Sequence, residues 1–521
     1  MKKLTRLFRT PGKGTDVTVS LFDIPLIDEL IEDAAQQPWP RYRKIFSGFN
    51  TIEEQSLVLP ALGVELRDYQ LYGIKWLRYL YDNNLNGCLA DDMGLGKTIQ
   101  AIALLSLLYP GSAIAPSLIV MPKSLLFNWE RELRRVNPKL LIATYYGSNR
   151  TLADIPAQHV VLTTYQTLRS DIEQLRDIPF DTIILDESGY IKNPESQVSK
   201  AAAILQAKHR FALSGTPIEN NLDELFALFR FLEPAFFPSR QEFLTQYLYP
   251  IQRDGTVEAM HELRRRIYPF ILRRTKQQVL RSLPQKVEQV MYVELSAQHA
   301  ALYEARRKYY YETVKQQLQA EGVNKSQFVM FQALSELRQL ISCPEERTEG
   351  LVVSQKRESL REQLAEAFAN GHKVLIFTQY LQALENITED VRALGVECVT
   401  ISGSTTDRQG AVNRFENDPA CRAFIATLKT GGYGLNLTAA DMVFIYDPWW
   451  NKAIESQAID RAHRMGQKNA VFAYRLIARG TIEEKMLQLQ HRKSQLADQL
   501  IGDDSSVTKR ISEEDITFLL Q

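Results

Sequence analysis

Six short apolar runs constrain this chain most: 117–121, 159–163, 181–185, 374–377, 423–427 and 442–446. Each is rich in Val, Ile or Leu and is bounded by turn or polar residues, and stretches with helical periodicity separate them. Strands of a parallel sheet read this way because helices cover both faces and leave no polar side. Three runs lie early and three late, with a long helical stretch from about 219 to 364 between them. The expectation is an α/β protein with two doubly wound parallel-sheet lobes and helical insertions between them. The expected divisions are a 1–60 extension without nameable chemistry, a first lobe at 61–235, helical insertions and connection at 236–355, a second lobe at 356–485, and a C-terminal helical brace at 486–521.

Charge and cysteine content exclude several classes. Lys+Arg and Asp+Glu are both 62, so the surface as a whole does not attract a polyanion and a nucleic-acid site has to be a local positive groove. The four cysteines (Cys88, Cys343, Cys398, Cys421) form no C-x-x-C pair and read as buried thiols of a reducing compartment. The seven histidines show no metal-ligand spacing. The basic start has no apolar segment behind it, so no secretory signal is expected. Residues 98–121 are uncharged and as long as a membrane span, but Pro110-Gly111 and Gln100 interrupt them. A buried helix, a turn and a buried strand are expected there, and no membrane partner.

The chemistry begins at Asp91-Asp92-Met93-Gly94-Leu95-Gly96-Lys97-Thr98, between an apolar run and a helical pattern. Glycines let backbone N–H groups approach phosphates, Lys97 suits the β- and γ-phosphates of ATP, and the Thr98 hydroxyl suits Mg²⁺. The strict phosphate-loop pattern has Gly where Asp91 stands, and the bland alternative is a glycine turn with a solvated lysine. The second half of an ATPase site is a strand ending in acid, and Thr182-Ile183-Ile184-Leu185-Asp186-Glu187 supplies it. Asp186 suits the metal and Glu187 the attacking water. Far downstream, Gln457, Arg461 and Arg464 are spaced i, i+4, i+7, which predicts one helix face. Two arginines aimed one way suit phosphoryl-charge stabilisation and, lying in the second lobe, would require the lobes to close, although a solvated basic face fits the spacing equally.

With these motifs in order, the chain resembles Swi/Snf-type (sucrose-non-fermenting class) translocases of helicase superfamily two, from about 66 to 485. The family's lobes are RecA-like. Leu66-Arg67-Asp68-Tyr69-Gln70 resembles its adenine-sensing segment and nominates Gln70. Asp91 to Thr98 matches its phosphate loop, leading aspartates included, so Asp92, Met93, Gly94, Leu95 and Gly96 join Lys97 and Thr98 around the nucleotide. Met121-Pro122-Lys123-Ser124 with Asn128-Trp129 matches the first nucleic-acid-contacting motif, and Leu162-Thr163-Thr164-Tyr165 the next. Ser214-Gly215-Thr216-Pro217-Ile218-Glu219-Asn220 resembles the segment linking ATP state to lobe motion, which nominates Ser214 and Thr216, and Ile271-Leu272-Arg273-Arg274-Thr275-Lys276 the inter-lobe segment, which nominates Arg273 and Arg274.

In the second lobe Phe377-Thr378-Gln379, Gly403-Ser404-Thr405, the run from Lys429-Thr430 through Gly434 to Thr438, and Asp447-Pro448-Trp449-Trp450-Asn451 fit the family. They nominate Thr378, Gly403, Ser404, Lys429, Thr430 and Trp450 for DNA, and Gly434 with Gln457 for nucleotide.

The resemblance implies an ATP- and Mg²⁺-dependent motor on double-stranded DNA. One strand would be held by its phosphates across both lobes, so tracking tolerates any sequence and can displace or remodel bound protein. The family usually moves along duplex without unwinding it, a difference from a strand-separating helicase that composition does not show. Protein partners are expected at the N-terminal extension or the helical insertions. Short insertions between motifs point to a prokaryotic cytoplasm over a nucleus. Bland readings stand beside several nominations: Thr163-Thr164 and Ser404-Thr405 as strand-end caps, Arg273-Arg274 as an ion-pair site, and Arg264-Arg265-Arg266 and Arg306-Arg307-Lys308 as solvated helix faces.

One departure from the family matters. After Asp186-Glu187 the family carries Ala, then His or Gln, where this chain has Ser188-Gly189. Glycine has no side chain with which to bridge to the 214–216 segment. ATP binding is expected to survive this, and a second reading follows: a weakly hydrolysing, nucleotide-gated DNA-binding subunit. Ser342-Cys343-Pro344 replaces the family's Cys-His-Pro without a functional inference.

Overall fold

The computed structural model describes residue 22 and residues 40–109, 115–215, 222–253, 255–280, 284–321, 323–405, 407–428, 436–449, 452–464 and 466–488. The chain divides into two compact units between Val279 and Leu280.

The first unit is built on a seven-stranded sheet. Its strands are β1 (Gly87–Leu89), β2 (Ser117–Met121), β3 (Ile142–Thr144), β4 (Val160–Thr164), β5 (Phe180–Asp186), β6 (Ala207–Leu213) and β7 (Ile271–Leu272). Their order is β3-β4-β2-β5-β6-β1-β7, and every pairing is parallel. The apolar runs became the central strands: every residue of β2, β4 and β5 is buried. The helices that carry the site are α1 (Asp68–Asp82), α2 (Lys97–Leu108), α3 (Leu126–Val136) and α4 (Tyr165–Ser170). The helix and strand expected within residues 98–121 are α2 and β2, the turn at Pro110-Gly111 lies outside the described residues, and no described helix is long and apolar enough to cross a membrane.

The second unit has a six-stranded sheet, again wholly parallel. Its strands are β8 (Lys286–Val293), β9 (Val374–Thr378), β10 (Glu397–Ile401), β11 (Cys421–Thr427), β12 (Met442–Ile445) and β13 (Val471–Ala478), in the order β10-β11-β9-β12-β13-β8. Alternation in β9 shows how the core forms. Leu375 and Phe377 join one apolar cluster and Val374 and Ile376 another, so both faces of the sheet are covered. Each such side chain contributes about 1.5–3 kcal/mol by burial. Helices α5 (Ala297–Glu321) and α6 (Val323–Ser342) pack Tyr303, Tyr310 and Val314 against Leu334, Leu337 and Ile341. Behind them come α7 (Gln355–Ala369) and α8 (Lys452–Ile459).

Within the mainly helical 236–355 interval two strands occur: β7 completes the first sheet and β8 forms an edge of the second. The reading of the basic runs there as solvated faces fails at Arg266, which is buried over the Phe236 and Tyr247 rings, while Arg306 pairs with Glu336 at 2.5 Å and Arg307 with Glu304 at 2.9 Å. All four cysteines are free and buried, and burial pushes the Cys88 thiol up to about 12. Most of the 486–521 brace lies outside the described residues.

Candidate functional site

The loop between β1 and α2 is where glycine is indispensable. Gly94 and Gly96 sit at φ +88° and +81°, and a Cβ on Gly96 would lie 2.4 Å from Gln70 Nε2. Gln70 Nε2 and the Tyr69 hydroxyl each donate to Leu95 O at 3.1 Å, while Gln70 Oε1 accepts from the Arg67 N–H at 3.1 Å. Gln70 is 2% exposed, and through these bonds it braces the phosphate loop.

The base of the loop is fastened to β7. The Ala90 N–H donates to Leu272 O at 2.7 Å, the Asp92 N–H to Arg274 O at 2.9 Å, and the Lys276 N–H to the Asp92 carboxylate at 2.9 Å. The Arg274 guanidinium forks onto the fully buried Asp91 at 2.5 and 2.8 Å and also reaches Gln100 at 2.9 Å. Arg274 is therefore an ion-pair residue, as the bland reading had it, and Asp91 is its partner. Lys97 heads α2 and donates to Asp91 O at 2.6 Å and Asp92 O at 3.3 Å, with Thr98 half-buried beside it. A helix N-terminus with such a loop is suited to anions.

Because β1 and β5 both flank β6 in a parallel sheet, their C-terminal loops leave at one edge. Asp186 ends β5 and is 7% exposed. Its Oδ2 accepts from the Trp129 indole N–H at 2.6 Å, its Oδ1 from the Glu187 N–H at 2.9 Å, and its backbone oxygen from the Tyr165 hydroxyl at 2.8 Å. Burial pushes the Asp186 carboxyl up, and Trp129 and Lys97 pull it back. Glu187 adopts φ 50°, ψ 59°, a left-handed conformation rare outside glycine and frequent where function holds strain. The described residues contain no group of three His, Cys, Asp or Glu able to cage a metal. Mg²⁺ suits the donors present, because it keeps most of its water and takes one or two protein oxygens beside phosphate. Ser214 follows β6, is buried, and its N–H donates to Leu89 O at 3.2 Å.

A basic and aromatic surface adjoins this edge. Lys123 and Ser124 are exposed on a single 3₁₀ turn before α3, and the Lys123 ammonium lies 5.7 Å from the centre of the Tyr146 ring. Phe127 is 63% exposed, and the Asn128 carboxamide oxygen accepts from Arg131 at 2.9 Å. Three nominated DNA contacts need correction, since they face inward. Trp129 is fully buried and belongs to the core face of α3 with Leu133 and Val136. Thr164 is 2% exposed and caps α4, accepting the Thr167 N–H at 3.2 Å. Thr378 is fully buried and donates its hydroxyl to Asp447. Gly403 and Ser404, by contrast, form an exposed turn after β10.

The shared face predicted for Gln457, Arg461 and Arg464 is also corrected. Helix α8 stops at Ile459, leaving Gln457 in its last turn and both arginines in the turn that follows. Two anchors hold the chain there. The Leu437 N–H donates to Arg461 O at 3.2 Å, and the Gln467 Nε2 donates to the carbonyls of Thr438, Ala440 and Ala462 at 3.2, 2.7 and 3.0 Å. Arg461 is 4% exposed and Arg464 half-buried. His463 packs beside them, its Nε2 at 2.8 Å from Pro284 O. Thr216, Lys429, Thr430, Gly434 and Trp450 lie outside the described residues. Sequence reading missed the Tyr146 ring under Lys123, the Asp91–Arg274 pair and the Trp129–Asp186 bond. Only the aromatic beside a glycine at Tyr146-Gly147 hinted at the first.

The profile described as SNF2-related domain matches residues 69–346, and that described as Helicase conserved C-terminal domain matches residues 336–466. The chain is 36% identical over 488 residues to an "Uncharacterized ATP-dependent helicase" of Mycoplasma pneumoniae, covering 92% of this chain and 46% of that protein. It is 38% identical over 499 residues to the "Putative ATP-dependent helicase/translocase YwqA" of Bacillus subtilis, covering 92% of this chain and 53% of the relative. It is 34% identical over 546 residues to the human "TATA-binding protein-associated factor 172", covering 90% and 30%. The chain thus spans about half, or less, of the length of these curated relatives. Among solved structures, "Sulfolobus solfataricus SWI2/SNF2 ATPase core in complex with dsDNA" is 34% identical, covering 84% of this chain and 93% of that one, with a TM-score of 0.46.

Proposed function

Because the chain belongs to the SNF2-related family, we propose that it is an ATP-driven motor on double-stranded DNA. The observation that carries this reading is the pairing, at one sheet edge, of a glycine loop headed by Lys97 with the acids Asp186 and Glu187.

Lys97 binds the β- and γ-phosphates, with the N–H groups of Asp92, Met93, Gly94, Leu95 and Gly96 lining the cradle. Thr98 and Asp186 would hold Mg²⁺, which supplies charge neutralisation at the phosphates when bound. Glu187 orients the attacking water and takes its proton. Arg461 and Arg464 come from the second unit on closure and meet the charge that develops on the transferring phosphoryl group. Gly434 and Gln457 complete the nucleotide's surroundings. Ser214, Thr216, Arg273 and Arg274 relate nucleotide state to closure, Arg274 through its grip on Asp91. Lys123, Asn128, Gly403, Ser404, Lys429, Thr430 and Trp450 hold strand phosphates, so movement is indifferent to sequence. Displacement of proteins from DNA follows from such movement. The bacterial origin of two relatives supports a prokaryotic cytoplasm as its place.

The test is ATP turnover with and without linear duplex. Strong stimulation by duplex is expected, and Glu187→Gln lowers the stimulated rate by roughly 10²–10⁴-fold. Equal turnover without DNA contradicts the proposal. A second reading, a nucleotide-gated subunit with negligible turnover, has one observation behind it: position 189 is glycine. Under that reading Gly189→Gln raises turnover.

A further inference from the structure

Trp129 was expected at the DNA surface, yet its ring is fully buried and its one polar atom is spent on Asp186. Neighbouring residues of one segment thus take different roles. The 3₁₀ turn before α3 and the first turn of the helix present Lys123, Ser124 and Phe127 to solvent, while Trp129, at the start of the same helix, sends its indole into the core to the metal-side carboxylate. Asp186 has little freedom to respond otherwise. Its second oxygen is taken by the Glu187 N–H and its backbone by the Tyr165 hydroxyl, and Tyr165 starts α4 directly after β4. An indole N–H on a carboxylate is a charge-assisted bond in a low-dielectric interior, so small shifts of α3 alter both the direction and the basicity of the oxygen it holds.

We propose that Trp129 is a positioning residue that conveys strand contact at the 123–128 edge to Asp186, so that duplex binding aligns the carboxylate for Mg²⁺ and raises turnover. This rests on the duplex-motor reading above and assigns the route by which duplex acts within the first unit. Lys123 and its neighbours supply affinity, and the indole N–H converts that contact into alignment.

The experiment compares wild type, Trp129→Phe, and a variant carrying the isostere 3-benzothienylalanine at position 129, which keeps the bicyclic shape and lacks only the N–H. Duplex affinity, basal turnover and duplex-stimulated turnover are measured on each. The ratio of stimulated to basal rate is expected to fall roughly tenfold in both variants, with duplex affinity within about twofold of wild type. Trp129→His, which restores a ring N–H donor in a smaller side chain, regains part of the ratio. Separately, duplex without nucleotide should change the part of the tryptophan emission that is lost in Trp129→Phe. A merely structural role would lower basal and stimulated rates alike and leave that emission unchanged. Should Trp129→Phe fail to fold, the isostere decides. An unchanged ratio in the isostere, with wild type stimulated, overturns the coupling alone. A wild type that duplex does not stimulate overturns the motor reading and the coupling together.

Discussion

Arg461→Ala and Arg464→Ala are each expected to lower duplex-stimulated ATP turnover by ~10³–10⁵-fold, with a far smaller loss of ATP affinity. The size follows from where the charge is needed. Phosphoryl transfer leaves the protein little to do beyond positioning and compensating negative charge on the equatorial oxygens. The first unit offers Lys97 for that charge, at the head of α2. The turn after α8 holds two guanidinium groups whose backbone is pinned by Leu437 and Gln467, so each is delivered with little entropy left to lose. Single-turnover hydrolysis separates this from folding: a variant that binds ATP and duplex normally but transfers no phosphoryl group fits the account. Near-normal turnover in both variants would assign the arginines to the packing of the turn.

Lys356→Met is expected to destabilise the second unit by about 3–5 kcal/mol in denaturant unfolding. Lys356 is fully buried, 2.7 Å from Glu483 and 3.8 Å from Asp447, both 1% exposed. Removing the ammonium leaves two carboxylates in the interior with no cation. Asp447 also accepts from the Gln379 N–H at 3.0 Å and from the hydroxyls of Thr378 and Ser342, so the strain reaches the end of β9 and the start of the 447–451 segment. Burial already pushes the Glu483 carboxyl up, with Lys356 pulling it down. In the variant that restraint is gone. An acid whose folded pKa lies above its unfolded value favours the fold at low pH and loses that contribution as pH rises. The deficit of Lys356→Met therefore grows with pH, and a second change, Glu483→Gln, should recover part of it. A flat pH dependence would mean that the cluster relaxes or takes in water.

The sequence disclosed strands that are buried on both faces and hid those that carry charge. β2, β9 and β12 are apolar but for a terminal Ser117 or Thr378 and read directly, and the Ile183-Ile184-Leu185 run discloses β5 despite Asp181. β6 contains Lys208, His209 and Arg210, and β13 contains Arg475, which is buried against Glu455 and Glu288 at 2.8 Å each. A charge inside a strand is legible only once its partner is known, and here the partners are distant in sequence. β8 is an edge strand in which charged and apolar residues mix without strict alternation, and two-residue β7 is recognisable only by the phosphate loop it supports.

The site divides the same way. Lys97, Asp186 and Glu187 stand on elements that local pattern fixes, strand end and helix start. Whether Trp129, Thr164 and Thr378 face solvent depends on tertiary packing, and all three turned inward to satisfy buried acceptors or caps. After Ile459 the chain is held by Gln467 and by Leu437, and Leu437 lies outside the window that a helical spacing rule reads there.

Displacement of a third strand from a DNA triplex tests the motor most directly. The protein is loaded on a duplex track beside the triplex, with ATP, and release of the third strand is followed alongside separation of the duplex strands. ATP-dependent release with the duplex left intact is the predicted result. Duplex-stimulated hydrolysis without release, or release only where the duplex itself is opened, would contradict movement along double-stranded DNA.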